Sequence, residues 1–354
     1  MSEIGGGPVG IVWKVGLLVA LSGVLAACGA ASSSNGDAAT TAAAATATTR
    51  APAGSPGQTL QSQFVSIVEK VGPAVVQIQT QEGLGSGDIF DAKGDIVTNH
   101  HVVGSSSTVK VTLANGKTYQ GKVLGSFAPD DLAVVKISAS NLHPLRFGDS
   151  SQLKVGDITL AIGNPLGLQS SVTQGIVSAL NRTVTESSGS NAAIAQAIQT
   201  SAAINPGNSG GALVDLSGQL IGIPTLAVSD PQLGGAAVGI GFAIPSNEVK
   251  NIADQIVEHG KVVNSHRAYL GVYVGDTGGQ GVYVGRVVPN TPAAKAGLTA
   301  GDVITAVAGK PTPTTTALNT VLAALKPGQT VKVTIVRPNG HKGTVSVTLA
   351  ALTS

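Results

Sequence analysis

The sequence has little of what several protein classes require. It contains one cysteine, one methionine and one tryptophan, and charged residues make up 11% of it, against roughly 25% in an average globular protein. A single cysteine excludes an intrachain disulfide and any zinc site built from several thiolates. The net charge of +2, without a block of lysines or arginines, lacks the electrostatic footprint of a nucleic-acid-binding protein. We therefore expect no thiolate zinc site and no nucleic-acid partner.

Glycine and proline, by contrast, are plentiful. The 354 residues include 47 glycines and 17 prolines, and 42% of the chain is hydrophobic. Many turn-forming residues and few charged helix formers indicate short strands joined by tight loops, rather than a helical bundle or a coiled coil. At roughly 150 residues per domain, the length favours two domains.

The N-terminal residues indicate export. Residues 15–27 form an uncharged apolar stretch after Lys14, too short to span a bilayer but typical of a signal peptide. The stretch ends in Leu-Ala-Ala-Cys-Gly at 25–29, which resembles a bacterial lipobox and implies that Cys28 is lipidated after cleavage. An uncleaved anchor helix, or an ordinary signal peptide with a chance cysteine, is the alternative. Residues 1–28 are thus predicted to target the protein to a membrane.

A linker and two folded domains are predicted after this segment. Residues 29–58 are rich in Ala, Thr and Ser and offer nothing large to bury, which predicts a flexible linker. A helical pattern from Phe64 is then followed by short apolar runs separated by turn residues, which indicate an all-β barrel or sandwich. A helix from Ser246 to Gly260 closes this first domain, 59–262. The pattern restarts at Tyr269, so 268–352 is predicted to form a second, small domain.

A serine between glycines is the first candidate for chemistry. Residues 205–211 read Asn-Pro-Gly-Asn-Ser-Gly-Gly, so Ser209 can lie on a tight turn with its hydroxyl exposed. Acyl transfer needs a nucleophile beside N–H donors aimed at the developing oxyanion. The N–H groups of Gly207 and Ser209 would be those donors, although the same residues could also form a plain hairpin loop.

A serine nucleophile also needs a base and a carboxylate that orients the base. Among the six histidines, His100 and His101 end a strand-like pattern where a base could be presented. Asp130 and Asp131 precede an apolar run at 132–137, and a carboxylate there needs a hydrogen-bond partner such as a histidine N–H. The order His, Asp, Ser is that of a chymotrypsin-type triad. The residues alone leave the choice within each pair open.

Several segments together resemble the HtrA/DegP family of chymotrypsin-fold serine proteases. In chain order they are GSGDIFDAKGDIVTNHHVV, DDLAVVKI, AIGNPLGL, VTQGIVSALNR, INPGNSGGAL and GIGFAIPSNEV. The resemblance covers nearly all of 60–352 and implies a mainly β fold: a chymotrypsin-like double β-barrel as protease domain, followed by a PDZ domain, a small β-barrel with two helices. It also implies His101 as the base, Asp131 as the orienting acid and Ser209 as the nucleophile, with no cofactor.

The resemblance extends to residues that would bind substrate. It implies that Ile204 lines the primary specificity pocket and that small or medium aliphatic side chains precede the cleaved bond. The sequence departs from the family at Ser201, where an aspartate is usual, and this departure bears on the support of that pocket.

In the second domain, the resemblance implies a site for peptide C-termini. The peptide would add as a strand beside the segment at 271–274, with its carboxylate captured by backbone N–H groups of a loop. That loop consists of Tyr269, Leu270, Gly271 and Val272. Leu318 or Val321, on the helix opposite, could border the groove, and both also fit ordinary core packing.

The function implied is that of an exported serine endopeptidase that hydrolyses misfolded or unfolded proteins in quality control and the stress response. Its expected partners are those substrates, C-terminal peptides at the PDZ domain, a membrane at the N-terminus and two further copies in a homotrimer. Two alternatives remain: a chaperone or holdase without meaningful turnover, and a site-specific regulatory protease activated by a PDZ ligand.

Overall fold

The structure, a computed structural model, describes residues 56–81, 83–164, 171–185, 193–205, 207–230 and 235–354. The predicted signal or anchor at 1–28, including Cys28, lies outside the described residues, as does the predicted linker up to residue 55. Helix α1 (Pro56–Val71) begins within the last residues predicted as linker. In the part of the chain that the structure describes, no helix is both long and apolar enough to cross a bilayer.

The first six strands close into an antiparallel barrel in the order β1-β2-β3-β6-β5-β4. They are β1 (Val75–Gln79), β2 (Leu84–Ile89), β3 (Asp95–Thr98), β4 (Thr108–Thr112), β5 (Thr118–Phe127) and β6 (Leu132–Lys136). In β4, Val109 and Val111 are buried while Thr108 and Lys110 are exposed, the period-two pattern of a strand with one face on a core.

The next six strands close into a second antiparallel barrel in the order β10-β11-β12-β9-β8-β7. They are β7 (Ile158–Gly163), β8 (Ser171–Thr185), β9 (Ala193–Thr200), β10 (Ala212–Val214), β11 (Leu220–Asp230) and β12 (Gly235–Pro245). The two barrels confirm the chymotrypsin-like double barrel that the resemblance implies.

Helix α3 (Ser246–His259) fixes one barrel to the other. It buries one apolar face in a cluster that contains Val97 of the first barrel and Ile223 of the second. The helix contributes Val249, Ile252, Ala253 and Ile256 to that cluster. Gly260 ends the helix in the left-handed conformation, as glycine does at many helix C-termini, so the helix predicted from Ser246 to Gly260 is confirmed.

The C-terminal residues form a smaller β domain with its own core. Its strands are β13 (Ala268–Tyr269), β14 (Val272–Asp276), β15 (Val282–Val287), β16 (Val303–Val307), β17 (Lys310–Pro311), β18 (Thr330–Val336), β19 (Lys342–Thr348) and β20 (Ala350–Ala351), and its helices are α4 (Pro292–Lys295) and α5 (Thr315–Ala323). The main sheet runs β14-β15-β16-β18-β19, while β13 pairs with β20. This sheet is open, and β14 is an edge strand that pairs with β15.

Candidate active site

The sequence suggested that His100 and His101 end a strand, but in the structure they lie on a short helix. Strand β3 stops at Thr98, and the next elements are Asn99 and the one-turn helix α2 (His100–Val103). His101 Nδ1 lies 2.8 Å from Asp131 Oδ2, and the His101 backbone N–H donates to Asp131 Oδ1 at 2.9 Å. Nδ1 of His100 is buried without a partner among the described residues. The structure therefore joins His101, not His100, to a carboxylate.

Asp131 is buried and surrounded by donors. Its side chain is 1% exposed, and the Thr225 hydroxyl donates to the same Oδ2 atom that faces His101. The backbone carbonyl of Asp131 accepts hydrogen bonds from His100 N–H and from Asn99 Nδ2, each at 3.0 Å. The contacts of the carboxylate with His101 and Thr225 compensate the loss of hydration that a buried carboxylate suffers. They also fix the carboxylate against α2.

Asp130, one residue earlier, has a different partner. Its Oδ1 lies 2.5 Å from Arg267 Nη1, which also donates to the Pro129 carbonyl at 2.6 Å. Burial raises the pKa of Asp130, and the Arg267 guanidinium lowers it by less. On α3, burial first and then the Asp130 charge raise the pKa of Glu248 to about 7. Of the two neighbouring aspartates, Asp131 thus faces His101, and Asp130 faces Arg267 at the start of the C-terminal domain.

The turn that carries Ser209 packs against strands of both barrels. Ser86 N–H, on β2, donates to the Ser209 carbonyl at 2.9 Å, and Gly210 N–H donates to the Pro224 carbonyl beside Thr225. Gly210 has a φ of 80° and lies so close to Ser86 O and Thr98 Oγ1 that a β carbon would collide with them. The serine turn therefore contacts the strand before α2 and the strand that supplies a donor to Asp131.

Two backbone donors of the serine turn are unused. Within the described residues, the N–H groups of Gly207 and Ser209 donate to no acceptor, whereas the Asn208 N–H between them donates to the Asn205 carbonyl at 3.1 Å. Gly207 has a φ of 106°, which a residue without a side chain adopts at little cost. These are the two N–H groups predicted from the sequence to form an oxyanion hole, and that role stays a prediction.

Ser86 is a functional candidate that the sequence did not single out. Its hydroxyl donates to the Gly207 carbonyl at 2.6 Å and accepts from Asn164 N–H at 2.8 Å. Ser86 is fully buried, and from a strand of the first barrel it holds the serine turn of the second in place. Ser86 and Gly207 are 121 positions apart in the chain, and Thr225 and Asp131 are 94 positions apart. The only sequence signal for Ser86 or Thr225 is that each is a polar residue in an otherwise buried strand.

Ile204 and Ser201 lie in the segment before the serine turn. Ile204 is 5% exposed and packs in the core of the second barrel, close against Gly241 of β12. The Ser201 hydroxyl accepts a hydrogen bond from Ile176 N–H at 3.0 Å. Ser201 therefore ties β8 to the segment that leads to Ile204, and does so without a carboxylate.

A second candidate site is a cleft of about 200 Å³ between β14 and α5. The predicted loop residues Tyr269, Leu270, Gly271 and Val272 line one end of it. Leu318 and Leu322 line it from α5, and Leu318 also belongs to the domain core together with Val321. The N–H groups of Leu270 and Gly271 donate to no acceptor within the described ranges.

Two family models match the chain. The family described as "Trypsin-like peptidase domain" matches residues 85–223, and the family described as "PDZ domain" matches residues 263–349. The first match contains the His101–Asp131 pair and Ser209. The second contains the cleft beside β14.

Curated proteins and solved structures agree with these matches. "Periplasmic serine endoprotease DegP" of Salmonella typhimurium is 44% identical over 284 residues, which cover 77% of this chain and 58% of that protein. "Periplasmic pH-dependent serine endoprotease DegQ" of Escherichia coli is 36% identical and covers 87% of this chain and 75% of that protein. The chain thus spans under two thirds of the DegP relatives' length.

Among solved structures, "HtrA-type protease AlgW with decapeptide" is 32% identical with a TM-score of 0.58, over 82% of this chain and 98% of that chain. "Crystal structure of the serine endoprotease from Yersinia pestis" is 36% identical with a TM-score of 0.56, over the same shares. The double barrel, the paired His101 and Asp131, and these similarities lead to one conclusion: the chain belongs to the HtrA/DegP family of trypsin-like serine proteases with a PDZ domain.

Proposed function

We propose that the protein is a serine endopeptidase in which Ser209 is the nucleophile, His101 the general base and Asp131 the carboxylate that orients the base. The observation that carries this proposal is the 2.8 Å contact between His101 Nδ1 and Asp131 Oδ2. With Nδ1 engaged, Nε2 is the nitrogen that accepts the Ser209 proton. The serine oxygen attacks the peptide carbonyl, His101 returns the proton to the leaving amine, and water then hydrolyses the acyl-enzyme.

The N–H groups of Gly207 and Ser209 would stabilise the oxyanion of each tetrahedral intermediate. Neither N–H group donates to an acceptor of the described chain. This supports the role, because a donor already engaged would have to break its existing hydrogen bond before it could bind the oxyanion. Ile204 would form a wall of the primary pocket, and its aliphatic side chain favours small or medium aliphatic residues before the cleaved bond.

The proposed substrates are unfolded or misfolded proteins outside the cytoplasm, and the proposed PDZ ligands are peptide C-termini. Relatives named as periplasmic endoproteases and a relative's structure with a decapeptide support both. Lipidation of Cys28, attachment to a membrane through the N-terminus and assembly as a homotrimer complete the proposal. The intact mass of protein extracted from membranes tests the lipidation.

Casein degradation by the full chain, with fluorophosphonate labelling, tests the catalytic assignment. We expect the wild type to digest casein and to take up the label, and Ser209→Ala to do neither. Digestion by purified Ser209→Ala would refute the mechanism. A wild type that suppresses aggregation of an unfolded client, yet stays unlabelled even with PDZ peptides added, would identify a holdase instead.

A site-specific protease regulated through the PDZ domain is the second candidate, and Arg267 favours it. This residue lines the cleft beside β14 and also binds Asp130, the neighbour of Asp131. A peptide that shifts Arg267 would therefore disturb the turn that positions the orienting carboxylate. We expect a bound C-terminal peptide to change kcat in the wild type and to have a smaller effect in Arg267→Gln. Equal responses in the two proteins would exclude this route.

A further inference from the structure

The edge of β14 has a feature that the proposed binding of peptide C-termini does not use. Val272 and Val274 pack towards the domain core and line the cleft, whereas Tyr273 between them faces outwards and is 57% exposed. Successive side chains of a strand point to opposite faces of a sheet. A peptide strand added to β14 therefore has one set of side chains in the cleft and another set beside Tyr273.

The position of the loop fixes which peptide residue faces Tyr273. A carboxylate held by the free N–H groups of Leu270 and Gly271 places the last residue of the peptide beside Val272, with its side chain in the cleft. The penultimate residue then lies opposite Tyr273, with its side chain on the outer face. Side chains directly opposite each other on neighbouring strands have their Cβ atoms about 4.5–5.5 Å apart, so the two are in contact.

Arg286 makes this outer face positive. It lies on β15 directly opposite Tyr273, and its guanidinium carbon stands 4.1 Å from the centre of the Tyr273 ring. Among the described residues Arg286 forms no ion pair with a carboxylate. Asp276, the carboxylate at the far end of β14, accepts hydrogen bonds from Thr315 of α5 instead. The guanidinium thus lies over the ring, with no carboxylate of the described residues paired to it.

The loop residue Tyr269, which lines the end of the cleft, is influenced by the same two residues. Burial first and then the nearby Tyr273 hydroxyl raise the pKa of Tyr269, while the Arg286 charge lowers it by less. Tyr269 and the Arg286–Tyr273 pair thus stand at the end of β14 where the peptide's last two residues would lie. An aromatic ring also keeps a stacked guanidinium in place, so less side-chain freedom is lost when an anion binds it.

We propose that the PDZ domain selects C-terminal peptides whose penultimate residue is acidic, and that Arg286, stacked on Tyr273, is the residue that selects them. This inference rests on the proposed recognition of peptide C-termini and adds a second determinant to it. The last residue supplies an apolar side chain to the cleft, and the penultimate glutamate or aspartate pairs with the guanidinium across the Tyr273 ring.

Fluorescence anisotropy of labelled decapeptides binding to the full-length Ser209→Ala protein tests this inference. The peptides differ only before a terminal valine, with glutamate, alanine or lysine at the penultimate position, and a fourth has glutamate and a C-terminal amide. We expect glutamate to bind about 2–5-fold more tightly than alanine, as for an exposed ion pair, and lysine to bind more weakly than alanine. The difference should shrink in 0.5 M NaCl because the pair is screened.

Variants separate the role of Arg286 from general charge effects. Arg286→Gln should bind the glutamate and alanine peptides equally, and Arg286→Glu should prefer lysine. Lys332→Glu is the matched control, since Lys332 is exposed on β18 and β15 and β16 separate that strand from β14; it should keep the glutamate preference.

The outcomes also distinguish this inference from the proposal beneath it. If free-acid peptides bind and the amide does not, but glutamate, alanine and lysine bind equally, the selection by Arg286 is wrong and recognition of C-termini stands. A glutamate preference that persists in Arg286→Glu overturns the inference in the same way. If no free-acid peptide binds more tightly than the amide, both statements fail together.

Discussion

Replacing Asp88 with valine is expected to stabilise the protein. Asp88 lies on β2 between Val75 and Val97 of the adjacent strands, and it is fully buried. The neighbouring Gly87 faces Ile78 and Ile96 inside the first barrel, so Asp88, like Ser86, faces out of the barrel. Neither carboxyl oxygen has a hydrogen-bond partner in the described parts of the chain, and burial raises the pKa of Asp88 well above its usual value.

The size of the effect follows from these contacts. A buried polar group without a partner costs about 1–3 kcal/mol, so Asp88→Val should raise the free energy of unfolding by a similar amount at pH 7. Because the folded-state pKa is raised, Asp88 is protonated in both states below about pH 3.8. As the pH rises above that value the unfolded chain ionises first, so folding stability falls, by at most about 1.4 kcal/mol per pH unit. The loss ends once the pH exceeds the folded-state pKa.

Urea unfolding of the full chain at several pH values between 4 and 8, followed by circular dichroism, measures both effects. Asp88→Asn is the control, since its amide is equally unpaired but does not titrate. The wild type should lose stability relative to Asp88→Asn as the pH rises, and Asp88→Val should be the most stable of the three near neutral pH. Parallel curves for the wild type and Asp88→Asn, or a destabilised Asp88→Val, would refute the reasoning.

Three further predictions concern residues around the candidate active site. Thr225→Val removes a donor to the Asp131 carboxylate, worth about 1.5–3 kcal/mol, so kcat/KM on a peptide substrate should fall about 10–150-fold, whereas Thr225→Ser should keep most of the activity. Ser86→Ala removes two hydrogen bonds at the serine turn, about 2 kcal/mol in total, so kcat and the rate of fluorophosphonate labelling should fall about 30-fold with little change in KM; a changed KM with normal kcat would argue against a positioning role. Glu248 has a pKa raised to about 7, so the wild type should lose thermal stability relative to Glu248→Gln as the pH rises from about 4.5 to 7, and a difference between their melting temperatures that stays constant with pH would contradict this.

Local sequence patterns predicted the strands and turns of the fold, whereas the choice of His101 and Asp131 came from the resemblance to the HtrA/DegP family. Alternating apolar residues determine which face of each strand is buried, and the glycines around Ser209 fix a tight turn. The helix α2 was not predicted, since four residues are too few for a helical period, and Val102 and Val103 after the histidines make 95–103 read as one strand. In the structure Asn99 Nδ2 donates to the Asp131 carbonyl, a contact between distant segments that no local pattern shows.

The supporting residues were missed for a related reason. Ser86, Thr225 and Arg267 bind partners more than seventy positions away, so no local pattern distinguishes them from other polar residues of a strand or linker. Ser201 shows the converse. Its departure from the family pattern is visible in the sequence, but only the structure shows its hydroxyl bonded to Ile176 N–H.

The backbone at Asp131 has a consequence for how activity can be lost. Asp131 adopts φ 51° and ψ 42°, a left-handed conformation that aspartate, asparagine and glycine tolerate and that other side chains adopt at a cost of about 1–2 kcal/mol. Exchange of one carboxylate oxygen for an amide, Asp131→Asn, therefore leaves the turn intact while it alters the partner of His101. Alanine at this position would strain the turn as well. Under the mechanism proposed above, this single conservative substitution would therefore stop turnover while the double barrel and the PDZ cleft stay folded and available for binding alone.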